Sequence, residues 1–248
     1  MRIRWAIWAT VLVGAVGLFG PVVAASSSFS NGAFNCSLCS QSGYYVSNAT
    51  SSGFYDISST VGENDMAPWT VTANSVDWID GLWQAPPGSL YSLDMNGLTN
   101  GTIQQTFSTV SGANYFVSFE LSGNSACGPV TKILDVNATG GSLKQFSFDT
   151  QMGPGSTYAE MNWTAEGYTF TASGTSTTIT FAGDSTNTSA CGPALGDVAV
   201  TQVAASGAQC KDGGWMLGVV VNGALMTFTN QGQCVSYFAT SGDTPIGS

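Results

Sequence analysis

The chain contains no histidine among its 248 residues, and lysine and arginine together number only five. Without imidazole there is no Ser-His-Asp or Cys-His catalytic arrangement and no histidine-ligated zinc or copper centre. Against fifteen acids, the scarce positive charge leaves a formal charge of −10. A surface of that sign repels phosphate backbones and anionic lipid headgroups, so neither nucleic acid nor a membrane surface is an expected partner. Charged residues make up only 8% of the chain; Ser, Thr, Asn and Gly carry the surface polarity instead. Past the N-terminal apolar run no sustained helical period occurs, and no second long hydrophobic run follows.

That first run sets the compartment. Arg2 and Arg4 precede an apolar stretch from Ile7 to Phe19, and Val22-Val23-Ala24-Ala25 supplies small residues for processing. This is the pattern of a secretory signal peptide over residues 1–25, cleaved just before Ala25 or Ser26. Its apolar core is shorter than the ~20 residues that a membrane span needs. The expected product is secreted, extracellular and free of the membrane. Removing the two arginines takes the formal charge from −10 to −12 and leaves Lys132, Lys144 and Lys211 as the cations.

Six cysteines in an exported chain suggest three disulfides. The tetrapeptide Ala-Cys-Gly-Pro occurs at 126–129 and again at 190–193, each copy at the edge of an expected strand, so Cys127 is expected to pair with Cys191. Cys210 and Cys234 bracket the C-terminal segment and most simply pair with each other. Cys36 and Cys39 form either a local bridge or cross-bridges to the C-terminal pair. A redox role for this Cys-x-x-Cys needs a helix N-terminus, and zinc needs a second ligand pair; neither is present in the sequence. Asn-x-Ser/Thr sequons stand at Asn35, Asn48, Asn100, Asn137, Asn162 and Asn187, glycan acceptors if the source is eukaryotic.

From Trp69 onward, apolar residues alternate with polar ones. Tyr115, Val117, Phe119 and Leu121 point one way and Phe116, Ser118 and Glu120 the other. Leu134 and Val136, Phe146 and Phe148, Tyr168 and Phe170, Ile179 and Phe181, and Val198 and Val200 repeat the period of two. Glycine, serine and asparagine turns separate these runs, as in an all-β, antiparallel two-sheet jelly-roll sandwich. Residues 26–67 show little pattern beyond one short expected strand around Asn31–Phe34. We assign 26–204 to the sandwich and 205–248 to a small Cys-bracketed unit. Asn222-Gly223 between apolar residues marks a hairpin there.

Several of these segments, in order, resemble the secreted choice-of-anchor C family, also called the domain-of-unknown-function 642 family, across Asn31 to Val200. The signposts are Asn31-Gly32-Ala33-Phe34, Pro68-Trp69-Thr70-Val71, Val76-Asp77-Trp78, Trp83-Gln84-Ala85, Ser92-Leu93-Asp94, Gly101-Thr102-Ile103-Gln104-Gln105, Tyr115 to Phe119, Lys132-Ile133-Leu134 and Cys191 to Leu195. The resemblance implies a galactose-binding-like sandwich that associates with cell-wall or other extracellular polysaccharide. It also bears on calcium. Sandwiches of this type often hold a structural calcium on a first-strand Glu and a last-strand Asp, and here those positions are Asn35 and Gly196. Calcium wants several oxygens, preferably carboxylates, so no calcium and no other cofactor is expected. Strict alternation puts Asp197 on the opposite face from Gly196.

Sugar recognition needs aromatic faces and side chains that read hydroxyls. Trp78 and Trp83, with Asp77, Asp80 and Gln84 interleaved, have that inventory; the competing reading is that both tryptophans plug the sandwich, as large aromatics usually do. Trp69 reads as core, and Trp163 and Trp215 stay undecided. The expected function is a non-catalytic carbohydrate-binding module. The alternatives are a structural or adhesive surface protein that binds another protein, and a glycosidase using a carboxylate pair drawn from Glu120, Glu160, Glu166, Asp94 and Asp135.

Overall fold

The computed structural model describes residues 28–39, the backbone of 45–47, and residues 53–241. The signal segment, the Asn48 sequon and residues 242–248 lie outside the described residues. Twelve strands form two antiparallel sheets: β1 (Tyr45–Ser47), β2 (Gly53–Ser58), β3 (Thr70–Ala73), β4 (Ser75–Asp80), β5 (Ser92–Asp94), β6 (Thr102–Ser108), β7 (Asn114–Gly123), β8 (Thr131–Ala138), β9 (Lys144–Asp149), β10 (Thr164–Thr171), β11 (Ser176–Gly183) and β12 (Pro193–Val203). The larger sheet runs β1-β2-β4-β5-β12-β7-β10 and the smaller β3-β6-β11-β8-β9. This is the expected all-β sandwich.

The period of two decides which side chains meet between the sheets. Tyr55, Ile57, Val76, Trp78, Leu93, Tyr115, Val117, Phe119, Leu121 and Leu195 of the large sheet are buried in one core with Ile103, Phe107, Leu134, Val136, Phe146, Phe148, Ile179 and Phe181 of the small one. Trp69 is fully buried there, with Phe29, Phe34 and Phe181 around its ring.

Two readings of the N-terminal part are corrected. Asn31–Phe34 is a turn rather than a strand: Asn31 and Phe34 both have positive φ, and the Phe34 N–H donates to the Asn31 carbonyl. The stretch that looked patternless contains β2, where Tyr55 and Ile57 face the core while Phe54, Asp56 and Ser58 face away.

The C-terminal unit has its own small core of Ala204, Cys210, Val219, Cys234 and Phe238. Its hairpin, β13 (Val219–Val221) and β14 (Ala224–Met226), turns at Asn222-Gly223, both with positive φ. A helix, α1 (Gln231–Ser241), follows, where no helical period was expected. Its start is capped reciprocally. Asn230 Oδ1 accepts the Gln233 N–H at 3.0 Å, and Gln233 Oε1 accepts the Thr229 N–H at 3.1 Å. Cys234 and Phe238, one turn apart, fasten its inner face. The unit joins the sandwich through the Ala204 N–H, which donates to Gly218 O. It also packs at Gly167, where a Cβ would stand 2.4 Å from the Phe116 ring and 2.8 Å from Gly223 O.

Cys127 bonds to Cys191, Cys210 to Cys234, and Cys36 to Cys39; the open alternative for the Cys-x-x-Cys resolves to the local bridge.

Candidate functional site

The polar features worth chemical scrutiny gather on the outer face of the large sheet, the side turned away from the small one. Strand pairing sets Asp56 opposite Asp77, Asp77 opposite Asp94, Asp94 opposite Ala194, and Ala194 opposite Ser122. One residue beyond the Thr164–Leu121 pair stands Trp163. A single row thus crosses the sheet from Asp56 on β2 to Trp163 at the start of β10. With adjacent strands about 4.8 Å apart, the row is roughly 24 Å long.

Like charges directly opposite one another destabilise a sheet, and this row contains three aspartates. Asp94 is fully buried and accepts from Asn124 Nδ2 at 2.8 Å and from the Asn96 and Gly192 N–H groups at 3.0 and 2.8 Å. Burial raises its pKa to about 7; those hydrogen bonds and the nearby Lys132 pull the other way. Asp77 is pushed further, to about 8, by burial first, then by the charges of Asp94 and Asp56 and a hydrogen bond with Asp56. At neutral pH Asp77 therefore keeps its proton and shares it with Asp56. Lys132, 0% exposed, lies within electrostatic reach of Asp94 but spends its ammonium on the Cys127 and Cys191 carbonyls, both at 2.8 Å.

A loop preceding β10 covers the middle of this face. Ser122 Oγ donates to Met161 O, the Met161 N–H donates to Gln84 Oε1 at 2.8 Å, and the Gln84 N–H donates to Tyr158 O at 2.7 Å. Beneath the loop, Ile79, Trp83, Met161 and Ala194 form a small apolar cluster against which Trp163 packs. Trp163 keeps part of its ring exposed, and its Nε1–H donates to Gln84 O at 3.0 Å. A cleft of about 420 Å³ opens here between Gln84, Pro86 and Pro87 on one side and Glu160, Asn162 and Trp163 on the other. Pro86 packs over Gly196, where a Cβ would stand 2.5 Å from its ring; any side chain at 196 displaces it.

Among the five sequence-derived ligand candidates, Gln84 lines this cleft. Trp78 does not: its parity in β4 is that of Val76, so it faces the inter-sheet core, 1% exposed, with Nε1–H donating to Phe34 O at 2.8 Å. Trp83 folds back onto the outer apolar cluster, 4% exposed, and donates to Ser92 Oγ at 2.8 Å. Both rings have the packing role, because each is enclosed and its N–H satisfied. Asp77 belongs to the buried row, and Asp80 ends β4, partly exposed. The cleft's aromatic surface comes from Trp163, which the sequence left undecided, and Asp56 was not singled out at all. A signal for Asp56 existed: it is the charged residue in an otherwise alternating Phe-Tyr-Asp-Ile run.

The carboxylates weighed for catalysis are distributed. Asp94 is enclosed; Glu160 lines the cleft; Asp135 lies on β8 of the other sheet. Burial raises the pKa of Glu120 on β7, with Asp197 adding to it, and that of Glu166 on β10. Asn35 and Gly196 bring no carboxylate together, and among the described residues no three His, Cys, Asp or Glu side chains converge on a possible metal position. The alternation assumed for Asp197 fails: β12 bulges between Gly196 and Ala199, and Asp197 has φ 43°. Its carboxyl sits against Gly88 in the loop that carries Pro86. Of the sequons, Asn187 is buried and donates its amide to Cys191 O at 3.1 Å, which leaves it unavailable to a glycan.

No curated protein matches the chain. Among solved structures it is similar to TmCBM61 in complex with β-1,4-galactotriose, at 17% identity over 57% of this chain and 91% of that one, TM-score 0.38. A family 35 carbohydrate-binding module from Paenibacillus barcinonensis matches at 18% identity over 60% and 97%, TM-score 0.35. Another family 35 module, from Clostridium thermocellum, matches at 17% identity over 48% and 82%, TM-score 0.34. At such values no residue of those proteins maps onto a residue here. The sequence itself is more telling: residues 41–201 match the family described as protein of unknown function (DUF642), and the chain belongs to that family.

Proposed function

We propose that this chain is a non-catalytic module, exported and held at the cell wall, that binds extracellular polysaccharide through the cleft at Trp163. The observation that carries this reading is the partly exposed Trp163 ring set beside Gln84, Glu160 and Asn162. An indole offers a sugar ring an apolar platform, and amide and carboxyl groups exchange hydrogen bonds with its hydroxyls. The cleft is pre-formed, because Gln84 is bonded through its side chain and both backbone groups to the loop 158–163. Its lining contains one carboxylate, Glu160, whereas glycoside hydrolysis uses two that flank the bond. That arrangement favours binding over turnover.

The test is retention of the secreted protein on a panel of insoluble polysaccharides, with and without a calcium chelator. We expect retention on at least one polysaccharide, insensitive to chelation and reduced at least tenfold by Trp163→Ala. Retention on none of them, or undiminished retention of the variant, overturns the proposal; the first result points to a protein-binding surface role instead.

A further inference from the structure

At the other end of the carboxylate row lies a second cleft, of about 510 Å³, walled by Asp56, Ser58, Thr60, Asn74, Leu98 and Thr99 among others. Asp56 is the charged residue of that lining. Its Oδ2 is buried and, among the described residues, accepts from no backbone N–H, amide or alcohol; the carboxyl's polar neighbour is Asp77. Asp56 Oδ2 rests on Gly97, where a Cβ would stand only 2.4 Å away, so glycine is what makes room for it. Among the described residues the cations are engaged or remote: Lys132 holds the Cys127 and Cys191 carbonyls, Lys144 donates to Gly167 O, and Lys211 sits in the C-terminal unit. Of the paired aspartates Asp56 and Asp77, Asp56 is the one that lines the cleft. At the mouth, Leu98 is 75% exposed and Val61 47%, an apolar flank beside a carboxylate and several hydroxyls.

We propose that the Asp56 cleft is a second carbohydrate site, selective for sugars that carry an ammonium group, such as the units of a de-N-acetylated amino-sugar polysaccharide. This rests on reading the chain as a polysaccharide binder and adds the class of sugar. An ammonium brings three N–H donors and a positive charge to a carboxyl group that has no cationic partner among the described residues, which makes a charge-assisted hydrogen bond. Ser58 and Thr60 face the ring hydroxyls, and Leu98 covers an apolar ring face. N-acetylation removes both the charge and two of the donors.

The experiment is calorimetric titration of the full secreted chain at pH 6 and low salt with a β-1,4-linked glucosamine trimer, short enough to occupy one cleft, and with its fully N-acetylated counterpart. We expect the glucosamine trimer to bind at least tenfold more tightly than the acetylated one. Asp56→Asn should weaken it tenfold or more. So should Leu98→Lys, which sets a positive charge at the mouth without touching the buried row. Equal affinity for the two trimers, or wild-type affinity in Leu98→Lys, overturns the proposal. So does tri-lysine binding with the same affinity and the same dependence on Asp56, which reassigns the cleft to cations in general. Polysaccharide retention by the same variants separates the two readings. If retention depends on Trp163 while trimer binding ignores Asp56, the second site falls and the first stands.

Discussion

Asp56 and Asp77 face each other directly across the β2–β4 pairing, and the proton retained on Asp77 joins the two carboxyls. That proton has a thermodynamic signature. In the unfolded chain Asp77 releases it near the ordinary value of 3.8, and in the folded chain only at about 8. Between those values the folded state binds more protons, so stability falls as pH rises from about 4 to 8. Asp94, at about 7, acts in the same direction. Asp77→Asn keeps a donor toward Asp56 without a titrating group. Its melting temperature should decline less than wild type's between pH 5 and 8.5, and it should be the more stable protein at pH 8. Parallel curves in a thermal melt series would sink this account of the row.

The tryptophans separate stability from recognition. Trp78→Ala and Trp83→Ala each remove an enclosed ring and should cost about 3–5 kcal/mol in denaturant unfolding. The folded fraction of the Trp78 variant should retain polysaccharide affinity. Trp163→Ala should do the reverse, losing affinity with a stability change of about 1 kcal/mol or less. Wild-type stability in the Trp78 variant would mean that its ring is not enclosed as described.

Lys132 ties one disulfide to the acid row. Lys132→Met strands the Cys127 and Cys191 carbonyls and takes the positive neighbour away from buried Asp94. The expected loss is about 3 kcal/mol at pH 8. At pH 5, where Asp94 carries its own proton, the loss should shrink. A penalty independent of pH across that range would show that the amine matters only to the carbonyls.

The Cys127–Cys191 bridge joins residues 64 apart in sequence. On chain-entropy grounds, replacing both with serine should cost about 4 kcal/mol, read as a shifted denaturation midpoint.

Much of the sandwich was legible because burial on one face imposes a period of two, and β8 and β11 display it without interruption. The helix α1 was not, since its eleven residues include Gly232 and β-branched and aromatic side chains that blur a 3.6 period. Its Asn230-x-x-Gln233 cap was the readable sign. The site was harder for a different reason. Whether a tryptophan packs or is presented depends on which face its strand position selects and on what covers that face. Trp78 and Trp83 have the composition of a sugar site, yet one parity and one covering loop enclose them both. Trp163 becomes available only because β10 begins at the sheet edge. The aspartate row lay out of reach of sequence reading, because it needs the registers of β2, β4 and β5 together, and the chain passes through β3 of the other sheet between β2 and β4.

Gly167 decides how portable the C-terminal unit is. The hairpin turn at Gly223 and the ring of Phe116 close on the space where any other residue would carry a side chain. A sandwich with even alanine at that position offers the unit no seat. Grafting residues 205–241 onto an unrelated sandwich would therefore transplant the disulfide and the helix but not the joint, and the graft would hang as a tethered passenger rather than a docked part.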